Sequence, residues 1–488
     1  MQQKKFEFGG LQGKQASLNL AMANRHGLIT GATGSGKTVT LQTLAEGFSQ
    51  AGVPVLVTDI KGDLSGLAKP GKQSSKIITR LEQLSLNAYS NRPYPIILWD
   101  LFGKKGYPVR TTISDMGPLL LSSLLELNET QTAILYACFK IADDEGLLLL
   151  DMKDLRGMLS WMAENRKSLQ KEYGNISSAS VAAIQRGLLV LGQQGAEQFF
   201  GEPVLQLGDL MQVDFSGNGV VSLLDATSLL PQPKLYSTFL LWLLAELFEQ
   251  LPEVGDTSKP TLVLFFDEAH LIFKNAPDVL LEKVEQVVRL IRSKGVGVYF
   301  VSQTPADIPV SIAGQLGNRI QHALRAFTPK DQKMVKAAAQ TLRSNPKINT
   351  EQAISQLTVG EALVSVLDEN GQPSPVEQLL IFPPQSRIGP LTEDERQQHL
   401  IRSPLASRYD TAIDRESAHE ILKQRAEKIA RFEDNLKPVR KATARTERSQ
   451  VEDLVGAMAK SAVRTIGTQL GRHIVRGFLG SLLGSKRR

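Results

Sequence analysis

One stretch near the amino terminus constrains the fold more than any other part of this 488-residue chain. Residues 31–38 have the sequence Gly-Ala-Thr-Gly-Ser-Gly-Lys-Thr, which fits the phosphate-binding pattern G-x-x-x-x-G-K-[ST]. The glycines of such a loop allow a tight turn whose backbone N–H groups point at phosphate oxygens. We expect Lys37 to reach the β- and γ-phosphates and the Thr38 hydroxyl to bind Mg²⁺. The predicted cofactors are ATP and Mg²⁺, and the predicted nucleotide-binding residues are Gly31, Ala32, Thr33, Gly34, Ser35, Gly36, Lys37 and Thr38.

The residues around this loop predict the supersecondary unit that phosphate binding needs. Residues 27–30 form a short apolar run, residues 38–50 carry apolar side chains at helical spacing, and another apolar run follows. A strand, a loop and a helix in this order place bound phosphates at a helix N terminus. Further apolar runs alternate with helical patterns, at 95–100, 261–266 and 296–303. This alternation predicts an α/β fold with a mainly parallel sheet.

Two acidic residues supply the second half of the predicted site. Asp267 and Glu268 end the apolar run at 261–266. The Asp267 carboxylate would hold Mg²⁺ opposite Thr38, and Glu268 would polarise the attacking water as general base. Since Glu268 suits activation of water, the pattern favours a hydrolase over a nucleoside or metabolite kinase. A pair of solvated acids at a strand end is the simpler alternative.

Two further residues are candidates because each follows a predicted strand. Gln303 ends the run at 296–303, where it could contact the γ-phosphate or the attacking water, or simply cap the next loop. Asp59 ends the strand after the phosphate-loop helix. It could orient a water near Mg²⁺, and we include it among the nucleotide-binding candidates, although a role in a turn explains it equally well.

The chain divides into segments of different composition. We expect an ATPase core, an inserted and mostly helical segment, a charged helical extension, a basic linker that begins with a break at Lys437 and Pro438, and a basic amphipathic helical tail. Their predicted bounds are 1–65 with 204–390 for the core, 66–203 for the insertion (helical at about 114–200), 391–436 for the extension, 437–450 for the linker and 451–488 for the tail.

Charge is unevenly distributed along the chain. The net charge is +6, but residues 437–488 contain twelve Lys or Arg and three Asp or Glu, which leaves the rest slightly acidic. No apolar run is long enough to span a membrane and no secretory signal is present, while Cys138 is the only cysteine. These features predict a cytoplasmic protein, with the nucleoid or a membrane surface as sites of peripheral association.

Four motifs in order give the chain a resemblance to a known family. Asn24-Arg25-His26 ahead of the phosphate loop, Asp267-Glu268-Ala269-His270, residues 292–297 (Arg-Ser-Lys-Gly-Val-Gly) and residues 301–305 (Val-Ser-Gln-Thr-Pro) resemble motifs of the HerA/FtsK superfamily of P-loop ATPases. The sequence is most similar to bacterial HerA-like proteins with a HerA-type C-terminal domain. The resemblance covers residues 1–390, apart from 66–225, and implies a RecA-like core.

The resemblance implies hexameric rings that hydrolyse ATP at subunit boundaries and translocate DNA. It also implies two catalytic arginines: Arg25 acting in trans on the neighbouring subunit's site, and Arg292 completing the site in cis. Arg25 could instead cap a strand and Arg292 end a solvated helix, with Arg319 and Arg325 as reserve candidates. HerA has a β-barrel ahead of its phosphate loop, whereas thirty residues precede Gly31, so no HerA-style nuclease partnership is implied.

Two classes of function follow from these patterns. The first is an ATP-driven oligomeric motor that acts on DNA. The second is an ATPase switch or scaffold that acts on proteins or at a membrane surface. The tail supports either class, because residues 451–484 place large apolar side chains at three- and four-residue spacing among arginines. Such a basic amphipathic helix suits self-association, docking on the body, or contact with lipid or nucleic acid.

Overall fold

The structure is a computed structural model that describes residues 4–11, 13–86, 88–274 and 278–440. These residues form two compact units. The first unit contains the residues up to Val109 together with Leu205–Asp410. The second contains Arg110–Val204 and the residues from Thr411 onward.

The first unit is built on a sheet of twelve strands among the described residues. In chain order the strands are β1 (Lys5–Leu11), β2 (Lys14–Asn19), β3 (Gly27–Thr30), β4 (Val55–Asp59), β5 (Ile96–Asp100), β6 (Tyr107–Pro108), β7 (Val221–Asp225), β8 (Leu262–Phe266), β9 (Val296–Ser302), β10 (Asn318–Gln321), β11 (Glu361–Ser365) and β12 (Glu377–Ile381).

The helices of both units alternate with these strands or follow them. In chain order they are α1 (Lys37–Gln50), α2 (Ser75–Leu84), α3 (Ile113–Leu124), α4 (Glu129–Asp144), α5 (Met152–Glu164), α6 (Arg166–Tyr173), α7 (Ser178–Leu191), α8 (Glu197–Phe199), α9 (Leu207–Leu210), α10 (Pro233–Gln250), α11 (His270–Phe273), α12 (Asp278–Ile291), α13 (Val310–Ala313), α14 (Pro329–Gln340), α15 (Thr350–Gln356), α16 (Glu393–Arg402), α17 (Ala406–Tyr409) and α18 (Ala418–Arg440).

The sheet has the order β2-β1-β12-β11-β10-β3-β9-β8-β4-β7-β5-β6. Neighbouring strands in the run β10-β3-β9-β8-β4-β7-β5-β6 are parallel. Neighbouring strands in the run β2-β1-β12-β11-β10 are antiparallel. All the parallel strands therefore end at one edge of the sheet, which we call the carboxyl edge, and begin at the opposite amino edge. Ligands of open parallel sheets bind at the carboxyl edge, where strand order reverses. This arrangement confirms the α/β class and the mainly parallel sheet that the apolar runs predict.

Aromatic side chains join α1 to the centre of the sheet. The rings of Phe48 and Phe6 lie 5.1 Å apart at 74°, and Phe48 also contacts Phe265 and Tyr299. Edge-to-face pairs of this kind add to the stabilisation from burial alone. Because β3, β8 and β9 are buried at every residue, the phosphate loop that joins β3 to α1 is held between two rigid elements.

The second unit is helical, as the periodicity of its residues predicts. It contains α3 to α8 together with α18, which packs against α5. A capping box begins α4, with Asn128 and Gln131 exchanging side-chain-to-backbone hydrogen bonds. Asp154 of α5 accepts hydrogen bonds from the hydroxyl of Ser417 at 2.5 Å and the N–H of His419 at 2.8 Å.

The two units differ from the expected segments at three places. Residues 66–109, expected in the insertion, belong to the sheet unit because β5 pairs with β7. The end of the expected extension, in α18, belongs to the helical unit. Helix α18 also continues through Lys437 and Pro438, where a break was expected. The rest of the predicted linker and the tail at 451–488 lie outside the described residues. Among the residues that are described, no helix is both long and apolar enough to cross a bilayer.

Candidate nucleotide site

The predicted phosphate loop lies at the carboxyl edge, between the end of β3 and the start of α1. Gly31, Gly34 and Gly36 all have positive φ values, of 155°, 77° and 116°. A Cβ on Gly31 would lie 2.5 Å from Cβ of His322, so a larger residue cannot take its place without displacing that side chain. Within the described part of the chain, no acceptor contacts the N–H groups of Gly34 and Gly36. These groups are free to bind an anion.

Lys37 is folded back onto the loop that presents it. Its ammonium donates to the carbonyl oxygens of Gly31 at 2.6 Å and Ala32 at 3.1 Å, and the residue is only 4% exposed. Burial lowers the pKa of Lys37, and the charge of Lys61 lowers it further. The lysine is therefore held in the loop by carbonyl groups, which phosphate oxygens can replace as acceptors.

His322, which follows β10, packs against the phosphate loop and the first turn of α1. Its Nε2 lies 2.8 Å from the Thr40 hydroxyl and its Nδ1 lies 2.8 Å from the carbonyl oxygen of Glu361. Burial lowers the pKa of His322 to about 4, so the ring is neutral. A neutral ring that donates from Nδ1 accepts at Nε2 from Thr40, which in turn lies on the first turns of α1. Nothing in the sequence pattern around His322 predicts this contact.

Asp267 and Glu268 follow β8 at the same edge. Asp267 is 3% exposed; its N–H donates to the Thr58 hydroxyl at 3.2 Å, and its Oδ1 accepts the N–H of Glu268 at 2.9 Å. Burial raises the pKa of Asp267 to about 7, and the charge of Lys61 opposes this rise. Such a carboxylate, buried with few hydrogen-bond donors, suits a divalent cation as its partner.

Glu268 is held in an unusual conformation and surrounded by polar groups. Its φ of 47° lies in the left-handed region that non-glycine residues rarely adopt. Lys61 Nζ lies 2.8 Å from Oε1, while His270 Nδ1 and Gln303 Nε2 lie 3.2 and 3.5 Å from Oε2. Burial alone would raise the pKa of Glu268, but the hydrogen bond and charge of Lys61 outweigh it and lower that pKa. The structure thus brings three side chains to Glu268: that of Gln303, which is a candidate from the sequence, and those of Lys61 and His270, which the sequence patterns do not single out.

Asp59 holds a turn at this edge. One of its oxygens accepts the N–H groups of Gly62 at 2.7 Å and Asp63 at 3.3 Å, and the other accepts that of Leu64 at 2.9 Å. Burial raises the pKa of Asp59 to about 6. Of the two roles considered for Asp59, these contacts support the role in the turn. The turn it fixes is the one that presents Lys61.

The two predicted arginines lie at the opposite, amino edge. Arg25 precedes β3 and Arg292 precedes β9, and these parallel strands are adjacent. The side-chain amide of Asn24 lies 3.5 Å from the carbonyl oxygen of Arg292, so the two segments touch. Strand β9 separates Arg292 from Gln303. Its seven residues extend over about 23 Å, at roughly 3.3 Å per residue. The cis role expected for Arg292 is therefore wrong for this position, because the side chain begins at the far edge from its own phosphate loop.

The reserve arginines are placed differently. Arg319 is mostly buried and donates to the carbonyl oxygens of Leu316 at 3.1 Å and Ala313 at 2.8 Å. Arg325 is exposed at the carboxyl edge and lies 3.4 Å from the carbonyl oxygen of Ser355. The guanidinium of Arg25, by contrast, makes no hydrogen bond or ion pair with a described residue and lies against the turn at Gly371. The carbonyl oxygen of Arg25 accepts the N–H of Gly317 at 3.1 Å.

The residues at the carboxyl edge fit ATP and Mg²⁺. The loop offers free N–H groups, the Ser35 hydroxyl is buried without a partner among the described residues, and Thr38 is half-buried beside it. Thr38 and Asp267 are the residues that would hold Mg²⁺, which would neutralise phosphate charge when bound. Sequence patterns missed Lys61, His270 and His322. Lys61 carried one available signal, since it lies between the two acids Asp59 and Asp63.

The fold and this site together define a P-loop ATPase of the RecA-like type. A family model described as the helicase HerA-like C-terminal family matches residues 7–488, and the chain belongs to that family. It therefore hydrolyses ATP and uses ATP and Mg²⁺ as cofactors, as the motifs predict.

Two individual proteins are similar to this chain, one over a short stretch of sequence and one in fold. A curated relative, "Probable helicase MJECL08" of Methanocaldococcus jannaschii, is 32% identical over 119 residues, or 24% of this chain and 21% of the relative. The chain thus matches about a fifth of the length of that relative. The plasmid coupling protein TrwB, solved with a non-hydrolysable GTP analogue, is similar in fold with a TM-score of 0.50 at 15% identity, over 78% of this chain and 90% of TrwB.

Proposed function

We propose that this protein is a homo-oligomeric motor that couples ATP hydrolysis to movement along DNA. The description of the family to which it belongs refers to the helicase HerA, and the curated relative is named a probable helicase. A hexameric ring is the assembly that the resemblance to the HerA/FtsK superfamily implies.

Hydrolysis in this proposal uses the groups at the carboxyl edge. Lys37 and the loop N–H groups bind the phosphates, and Glu268 accepts the proton of the water that attacks the γ-phosphorus. The bond between the γ-phosphorus and its bridging oxygen breaks, which gives ADP and phosphate. Gln303 lies beside Glu268 and would orient the same water.

The edge-to-edge arrangement supports a trans role for both arginines. Arg25 and Arg292 lie together at the amino edge, whereas the phosphate loop lies at the carboxyl edge. If the amino edge of one subunit faced the carboxyl edge of the next, both guanidinium groups could reach the neighbour's γ-phosphate. Such an arginine finger can raise hydrolysis about 10³- to 10⁵-fold.

A basic stripe on α14 is the observation that carries the proposal of DNA as substrate. Its lysines, Lys330, Lys333 and Lys336, are all exposed and make no ion pair with a described residue. Phe327, just before the helix, is 88% exposed. Exposed lysines bind phosphates, and an exposed ring can stack on a base of single-stranded DNA. Because α14 follows β10, which is parallel to β3, the helix begins at the same edge of the sheet as the phosphate loop.

The decisive experiment measures ATP hydrolysis and DNA binding together. We expect single- or double-stranded DNA to raise the rate of phosphate release, and DNA affinity to fall steeply with salt. Lys330→Glu, Lys333→Glu and Lys336→Glu combined should abolish the stimulation and leave the basal rate unchanged. The matched control reverses three exposed lysines of the helical unit, Lys153, Lys167 and Lys171.

An unchanged rate of hydrolysis with either form of DNA at low salt would overturn the proposal. It would favour the second class, an ATPase switch or scaffold that acts on proteins or at a membrane surface. DNA stimulation that both lysine triples reduce equally would leave DNA as the substrate but remove α14 as its specific surface.

A further inference from the structure

Lys61 is the cation closest to the predicted general base, and no motif assigns it a role. Its ammonium lies 2.8 Å from Glu268 Oε1, in a pair that is unequally exposed: the Lys61 side chain is 38% exposed and that of Glu268 is 9% exposed. Glu268 is held in place by its own strained backbone and by neighbouring side chains. Of the two partners, Lys61 is therefore the one that can leave without disturbing the strand end.

The backbone of Lys61 is fixed, while its side chain is more exposed than that of its partner. The carboxylate of Asp59 accepts three successive N–H groups of the turn that follows Lys61. Gly62, at φ 74°, completes this turn and packs against Thr227. A lysine on a rigid turn can swing its four-carbon side chain between two acceptors while its Cα stays in place.

The carboxylates around Lys61 keep its side chain charged, which suits a phosphate as an alternative acceptor. Burial favours its neutral form, but the carboxylates of Asp267, Glu268 and Asp63 outweigh this and raise the pKa of Lys61, so the ammonium is charged at neutral pH. Lys61 also lies close enough to Lys37 to lower the pKa of that loop lysine. The same ammonium therefore contacts the general base at the edge of the sheet that also carries the phosphate loop.

We propose that Lys61 senses the γ-phosphate: its ammonium holds Glu268 in the nucleotide-free chain and transfers to the terminal phosphate of bound ATP, which frees Glu268 for the attacking water. ADP lacks the phosphate group that attracts Lys61, so the pair with Glu268 reforms after hydrolysis. The inference rests on Glu268 as the general base and not on DNA as the substrate.

Nucleotide binding, measured by calorimetry with Mg²⁺, tests the sensing role without relying on turnover. The protein is titrated with ADP and with a non-hydrolysable ATP analogue, as wild type, Lys61→Met and Lys105→Met. Lys105 is the matched control, since it pairs at 3.3 Å with Asp225 at the end of a neighbouring strand. Loss of a charged hydrogen bond should weaken binding of the ATP analogue roughly 10- to 100-fold in Lys61→Met. Its affinity for ADP, and both affinities of Lys105→Met, should stay within about twofold of wild type.

Equal losses for the two nucleotides, or no loss for either, would overturn the proposal. ADP binding also reports whether Lys61→Met is folded, and Lys61→Arg should keep the wild-type preference for the triphosphate. A failure here is separate from a failure of DNA stimulation, because the nucleotide titrations contain no DNA.

A double-mutant cycle tests the transfer itself. Lys61→Met and Glu268→Gln, alone and combined, are compared by melting temperature with and without saturating ATP analogue. We expect the effects of the two substitutions on melting temperature to be non-additive in the free protein, where the pair is formed. With the analogue bound, these effects should be close to additive. Coupling of equal size in both states would mean that Lys61 stays on Glu268, which contradicts the proposal.

Discussion

The side-chain amide of Asn24 lies 3.5 Å from the carbonyl oxygen of Arg292, which places Arg25 and Arg292 on neighbouring segments at the amino edge of the sheet. Each precedes a strand whose far end carries part of the nucleotide site. His26 strengthens this junction, since its ring lies 2.8 Å from the carbonyl oxygen of Val288 and accepts the N–H of Val298 at 3.0 Å. The segments that carry the two arginines are thus held together, away from their own subunit's phosphates.

Mixing inactive variants should show whether each arginine acts in trans. Arg25→Ala and Arg292→Ala should each reduce hydrolysis strongly, whereas Arg289→Ala, which removes an exposed i,i+4 partner of Glu285, should not. Arg25→Ala subunits mixed with Lys37→Ala subunits should regain activity, because one kind of mixed interface is complete. The same recovery is expected with Arg292→Ala.

The outcome of the mixing experiment separates the two positions. If mixed oligomers are shown to form and Arg292→Ala regains nothing, Arg292 acts within its own subunit, against the position of its strand. If Arg25→Ala regains nothing, the trans role passes to Arg325, the exposed reserve arginine.

Substitutions within the site should separate binding from hydrolysis. Lys37→Ala is expected to abolish nucleotide binding, because it removes the cation at the phosphates. Glu268→Gln should bind ATP but release phosphate at least 100-fold more slowly, in line with about 10²- to 10⁴-fold for general bases. Phosphate release by Glu82→Gln, an exposed change on α2, provides the control. Turnover of Glu268→Gln at the wild-type rate would remove Glu268 as the base.

The strands and the motifs at their ends could be predicted because both are local properties of the sequence. A buried parallel strand must be apolar at every position, so β3, β8 and β9 are visible as continuous runs. The contact of Lys61 with Glu268 depends instead on strand order. It exists because β4 pairs with β8, and spacing along the chain does not determine which strands are neighbours.

Two other features, the position of Arg292 and the placement of residues 66–93, also depend on how the strands pack together. The cis role expected for Arg292 came from a motif, whereas the strand direction that contradicts it appears only in the sheet. Residues 66–93 are polar and lack a strand pattern, yet Leu67 is buried and its carbonyl oxygen accepts the N–H of Tyr94 at 2.9 Å. That contact keeps the segment with the sheet unit, and composition alone does not predict it.

The contact between Thr40 and His322 should link the stability of α1 to nucleotide binding. Thr40→Val leaves Nε2 of a buried, neutral imidazole without a donor, which costs about 1–3 kcal/mol. Thr43→Val, one turn later, removes hydrogen bonds to the carbonyl oxygens of Val39 and Phe382 and is the matched control. Both variants should melt at lower temperature, but only Thr40→Val should also bind ADP more weakly. Equal ADP affinities would show that His322 does not support the loop.

Glu46 should give the protein a pH-dependent stability that is separate from the nucleotide site. This residue of α1 accepts the N–H of Gln385 at 2.8 Å and that of Ser386 at 2.9 Å, and also contacts the Ser386 hydroxyl. Burial raises its pKa to about 7 against these hydrogen bonds, from 4.5. Between those two pH values the folded protein keeps a proton that the unfolded chain has lost. The free energy of unfolding that this group contributes is therefore present below about pH 4.5 and lost as pH rises towards 7.

Glu46→Gln removes that titration and provides the test. The loss in wild type between pH 4.5 and 7 is on the order of 3 kcal/mol, at about 1.4 kcal/mol per pKa unit. At pH 5 the variant should melt at or below the wild-type temperature, because its amide N–H₂ replaces one of the accepting oxygens. At pH 8 the melting temperature of the variant relative to that of wild type should be higher than at pH 5, since wild type then buries an ionised carboxylate. Glu82→Gln should differ from wild type by the same amount at both values. A difference between Glu46→Gln and wild type that does not change between pH 5 and pH 8 would mean that Glu46 ionises normally in the folded chain.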